Sequence, residues 1–123
     1  MRLNREVQLN RGRHGSSGAR TDLWIEAVDS SGEDKLTLCI EVKGSWNKTA
    51  KTAIENQLIH KYMGDGGADA GILALGWFDA PVPNKVRNQW KTMVLARSDL
   101  DSQVESVRAR GIEVSAVVLD CRW

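Results

Sequence analysis

Between Ala19 and Gly44 the chain reads ARTDLWIEAVDSSGEDKLTLCIEVKG, two runs rich in Leu, Ile, Val and Trp around a Ser-Gly turn cluster. That pattern predicts a β-hairpin. Side chains alternate along a strand, so Glu41 and Lys43 share one face while Ile40 and Val42 take the other. With Asp29 to Asp34 as the loop, Val28 pairs with Lys35, and counting back sets Asp22 opposite Glu41. Directly opposed residues hold their β-carbons about 4.5–5.5 Å apart. Two carboxylates and an ammonium would then share the end of one hairpin. Two acids so close repel unless a cation lies between them, and hard oxygen ligands of this kind suit Mg²⁺ or Mn²⁺.

The rest of the chain supplies the elements around this hairpin. Glu6 to Leu9 reads as a short first strand, and Asn10 to Ala19 as a Gly- and Ser-rich loop. Thr49 to Met63 carries Ala50, Ala53, Ile54, Leu58 and Tyr62 at spacings of three and four, the stripe of a helix, which Gly64-Asp65-Gly66-Gly67 stops. Ala70 to Phe78 is a nearly continuous apolar run, the signature of a strand covered on both faces. A strand–helix–strand crossover sets it parallel to the Glu41 strand. Lys85 to Arg97 is a basic, irregular excursion around Trp90, at the carboxyl edge where open α/β sheets hold their ligands. Trp46 and Trp90 are each read as packing residues, with stacking on a substrate as the other reading. Ser98 is the expected N-cap of a second helix running to Arg110, with Asp99 and Asp101 opposing its dipole and Gly111 ending it. Val114 to Leu119 is a last apolar strand.

Asp22, eighteen residues, then Glu41-Val42-Lys43, resembles the PD-(D/E)XK nuclease superfamily of restriction enzymes, junction resolvases and repair nucleases. Thr21 stands where that motif names a proline. The resemblance implies a restriction endonuclease-like α/β core: a mixed central sheet of about five strands flanked by helices, in the order β-β-β-α-β-α-β. It implies a catalytic set of Asp22, Glu41 and Lys43, a metal held by Asp22, Glu41 and the main-chain carbonyl of Val42, and a supporting Gln57 on the helix that follows. The family's form of that helix motif is Gln-x-x-x-Tyr. Here Lys61 takes the fourth place after Gln57, and Tyr62 comes one residue late. The helix that the family sets before its first strand has no full counterpart. Glu6, on or before a strand, is a poor substitute for the acid that helix often carries.

At 123 residues the chain is read as one domain, 1–123, with excision from a longer multidomain protein as an open reading. The net charge of +1 is uninformative, but its distribution is not. Arg2, Arg5, Arg11, Arg13 and Arg20 face one acid, Glu6, in the first twenty residues, and residues 80–98 hold Lys85, Arg87, Lys91 and Arg97 with no acid. Arg11, Arg13, His14, Arg20, Lys61, Lys85, Arg87 and Lys91 are therefore candidate phosphate contacts. The bland reading is a set of solvated faces. Cys39 and Cys121 make neither a disulfide framework nor a zinc spacing and read as free thiols. No apolar stretch approaches a membrane span, so the expectation is a cytoplasmic protein.

A phosphodiester is anionic and repels hydroxide, and a bound divalent ion relieves that barrier. The expectation is a Mg²⁺- or Mn²⁺-dependent deoxyribonuclease, with RNA not excluded. It would serve as the effector domain of a larger defence or repair protein, as a homo-oligomer or fused to a sensor. The alternative is a catalytically inactive nuclease-fold module that binds nucleic acid or a protein. The bland reading of the three residues makes Asp22 and Glu41 solvent-facing strand residues, with Lys43 a cross-strand ion-pair partner.

Overall fold

The computed structural model describes residues 6–13, 20–79 and 87–122, with side chains from residue 23 onward. They form a mixed α/β sheet. β2 (Arg20–Val28) and β3 (Lys35–Gly44) are the antiparallel hairpin, in register from Val28↔Lys35 to Leu23↔Ile40. β4 (Ala70–Trp77) runs parallel to β3, from Leu38↔Ala70 to Gly44↔Gly76, and β5 (Val114–Asp120) runs parallel to β4. β1 (Glu6–Arg13) pairs antiparallel at the β2 edge, giving the spatial order β1-β2-β3-β4-β5.

The hairpin loop is closed by its own side chains. Asp29 Oδ1 accepts from Ser31 Oγ at 2.8 Å, and Asp29 N donates to Asp34 O at 3.0 Å. Gly32 takes φ 76°, a left-handed turn position that glycine occupies without steric cost. This turn fixes which strand residues oppose one another.

Two helices cross from strand to strand. A short 3₁₀ turn, Ala50–Thr52, leads into the first helix, Ile54–Asp65. Its turns are wide, of the i→i+5 kind, as in the bond from Gly66 N to Lys61 O at 2.8 Å. The expected stripe is buried: Ala50, Ala53, Ile54 and Leu58 are fully enclosed and Tyr62 nearly so. The second helix is Met93–Arg108 and buries Ala96, Leu100 and Val107. It starts six residues before the expected position. Thr92, not Ser98, is the N-cap, accepting from Leu95 N at 3.1 Å, and Ser98 lies exposed in the helix body. Asp99 faces inward to Trp90 instead of opposing the dipole. The apolar stripe extends upstream through Ala96, and that tertiary burial overrides the Ser-Asp signal.

Three further expectations change. The first strand runs on to Arg13, with a register shift between Asn10 and Gly12, so Arg11 and Arg13 belong to β1 and not to a loop. Pairing with β2 outweighs the glycine content there. The first helix ends at Asp65, two residues beyond Met63. Finally, β4 is not covered equally on both faces. Gly71, Leu73, Leu75 and Trp77 are buried, while Ala70, Ile72, Ala74 and Gly76 are only half-buried. Both helices lie against the first set, side by side, joined by Gln103 Nε2 to Lys51 O at 3.2 Å and by the Arg110–Glu55 pair. Among the described residues no helix covers the other face, where Leu36, Val42, Val117 and Leu119 are about half exposed.

Candidate active site at the carboxyl edge of the sheet

The alternation of β3 puts Thr37, Cys39, Glu41 and Lys43 on the helix-covered face. Glu41 is 6% exposed, and its Oε1 lies 3.4 Å from Lys43 Nζ. Their register partners on β4 are Leu73 and Leu75, both fully buried, so an apolar wall backs the pair. In such surroundings each charge is felt strongly by its neighbours. Cys39, one rung back, shows this: burial first, and the Glu41 charge in addition, push its thiol up to about 12.

The β2–β3 register ends at Leu23↔Ile40, so Asp22 is the next residue along β2 beside the Glu41 strand. Its side chain, and those of Arg11, Arg13 and Arg20, lie outside the described set, and His14 and Lys85 lie outside the described residues altogether. The backbone sets Arg13 opposite Arg20 at the same edge of the sheet where β3 and β4 end. Val42 points to the opposite face and is 52% exposed. Among the described residues no three His, Cys, Asp or Glu side chains converge on one point, a set that does not include Asp22.

Gln57 lies on the first helix, which packs over β3 and β4. Its Oε1 is buried and has no hydrogen-bond partner among the described residues. Lys61 is exposed, whereas Tyr62 is buried. Tyr62 follows Gln57 by five residues on this helix, and its ring is part of the buried core. Arg87 and Lys91 are exposed in the segment that follows β4.

Sequence reasoning missed the clamp that holds this edge together. Ser45, two residues after Lys43, is fully buried; its Oγ donates to Asn88 Oδ1 at 2.7 Å and accepts from Phe78 N at 3.2 Å. Asn88 Nδ2 donates to Phe78 O at 2.6 Å, and Gln89 N to Ser45 O at 2.9 Å. Trp90 is buried as a packing residue: its Nε1 donates to Asp99 Oδ2 at 2.9 Å, with Lys51 Nζ 5.8 Å from the ring centre. Trp46 packs edge-on to Phe78, centroids 5.1 Å apart, on the opposite face of the sheet. Only Gly-Ser-Trp-Asn turn chemistry was visible in the sequence at 44–47. Partners 33 and 43 residues away leave no local mark.

Comparison with known proteins finds no family model, no curated protein and no solved structure that matches this chain.

Proposed function

We propose that this protein is a divalent-metal-dependent nuclease with a restriction endonuclease-like core, acting on DNA. The supporting observation is the Glu41–Lys43 pair, nearly buried, 3.4 Å apart, at the end of a strand whose parallel neighbour follows a helical crossover. A buried ion pair is a poor stabiliser, because desolvation cancels most of its attraction. Its retention at the ligand-binding edge of an α/β sheet therefore favours chemistry.

The donors suit a hard cation: the Glu41 carboxylate, the Val42 carbonyl, the neighbouring Asp22, and, on the helix packed over β3, the unpartnered amide oxygen of Gln57. When bound there, the ion would polarise a phosphoryl oxygen and acidify the attacking water. Lys43 donates a hydrogen bond toward the negative charge that grows on the phosphoryl group, strengthened by its low exposure. Gln57 positions that centre through its amide. Arg87 and Lys91, with Arg13 and Arg20 at the same edge, attract the phosphate backbone.

Supercoiled plasmid, linear DNA and RNA, incubated with and without Mg²⁺ or Mn²⁺, test this directly. Metal-dependent cleavage that disappears in Lys43→Ala is expected, and cleavage that persists in that variant sinks the reading. The second reading, an inert binding module, draws on the same ion pair, since the Lys43 ammonium is already paired with Glu41 Oε1. Calorimetric titration with Mn²⁺ separates them: Asp22-dependent binding selects the nuclease, and its absence the module. Sedimentation beside the cleavage assay reports whether an oligomer is the active form, as an effector fused to a sensor requires.

A further inference from the structure

Two large apolar side chains stand in solvent away from the sheet. Val94 is 71% and Leu95 50% exposed, in the first turn of the second helix. Exposed Arg87 and Lys91 precede them and exposed Arg97 follows, and residues 80–98 contain no acid. Val94 and Arg97, three apart on a helix, share a face. The segment leaves the carboxyl end of β4, so this cluster stands at the same edge as Glu41 and Lys43.

The segment is also held firmly from within. Asn88 is locked to Ser45 and Phe78, and Trp90 to Asp99. Two of the nearby acids are paired: Arg122 lies 2.7 Å from Asp120 and 3.8 Å from Asp79, and Arg97 also acts on Asp120 through its charge. What remains outward is a short apolar ridge between cations.

We propose that Val94 and Leu95 form the base-contacting ridge of a duplex-gripping surface, with Arg87, Lys91 and Arg97 on the phosphates beside them. The choice of DNA as occupant rests on the nuclease reading of the adjoining site. The surface chemistry supports it, because positive charge flanking an apolar ridge complements phosphates flanking base edges. A purely electrostatic contact leaves two bare aliphatic side chains without a use, and an ordinary protein-docking patch does not require the absence of acids.

The test is fluorescence anisotropy of the 123-residue chain on a labelled DNA duplex in EDTA, across a salt series, with vesicles of anionic lipid as a parallel arm. Folding of each variant is checked by circular dichroism. Arg87→Gln and Lys91→Gln should each lower the salt slope by about one. The double variant Val94→Ser/Leu95→Ser should weaken duplex binding by about tenfold at an unchanged slope. Lys35→Gln, at the far end of β3, should leave both unchanged. Wild-type affinity in the Val94/Leu95 variant, an equal effect from Lys35→Gln, or binding to vesicles but not to duplex overturns the proposal. Intact plasmid under Mg²⁺ with the anisotropy pattern as expected removes the nuclease reading alone. Cleavage with anisotropy indifferent to these residues removes the ridge alone.

Discussion

Glu41 and Lys43 acquire their meaning from alternation. Two residues apart on a strand, they face the same way, and the leucines on β4 behind them keep water off both. Removing one partner leaves the other charge buried alone, so Glu41→Ala should lose stability as well as cleavage, by about 3–5 kcal/mol in urea unfolding. Cys39 gives a chemical readout of the same wall. Its thiol, pushed up to about 12 by burial, should resist a disulfide reagent in the native chain, while the half-exposed Cys121 reacts; two reactive thiols before denaturant is added would contradict the packing. Asp120 is held at about 2 by hydrogen bonds from Arg122. The unfolded carboxyl takes its proton near 3.8, so between these values the unfolded chain binds more protons and stability falls as pH falls. Asp120→Asn should make that slope shallower from pH 4 to 2 in thermal melts, with Asp29, also lowered by its turn hydrogen bonds, supplying part of what remains.

The second helix shows how an element chooses its own start. Ser98-Asp99 is a good capping signal, yet the helix begins at Thr92 because Ala96 and Leu100 extend the buried stripe and Trp90 ties back to Asp99. Thr92→Ala should cost about 1 kcal/mol and Ser98→Ala almost nothing; the reverse order in chemical denaturation would restore Ser98 as the cap. The first helix makes the complementary point. Its stripe at spacings of three and four was readable, but four residues also fit a wider turn, and periodicity alone does not separate the two. The clamp from Ser45 to Asn88 belongs to this scale too: it ties the end of β3 to the segment after β4. Asn88→Ala leaves the buried Ser45 hydroxyl short of a partner, and a loss of about 1–3 kcal/mol is expected.

Across the whole molecule the sheet has unequal faces. Leu73, fully enclosed between β3, β5 and the helices, should cost about 2–5 kcal/mol on truncation to alanine. Leu36, 56% exposed on the other face, should cost well under that, and equal losses in the two would show that the faces are equally packed. No helix of the described residues is long and apolar enough to cross a membrane. The continuous apolar run of β4 was expected to be buried on both sides. Its composition marks a strand of a parallel pair but does not say how many layers lie upon it.

The amino-acid sequence by itself determined the hairpin, its loop, its register and the shared face of Glu41 and Lys43. These depend on neighbours along the chain: a period of two, a Ser-Gly turn, a count back from Val28 and Lys35. Tertiary structure alone decided the true start of the second helix, the width of the first, the burial of Ser45 against Asn88, and which face of the sheet the two described helices cover. Each of these depends on which distant surfaces meet, and a burial free energy summed over many residues overrides any local propensity worth about 1 kcal/mol.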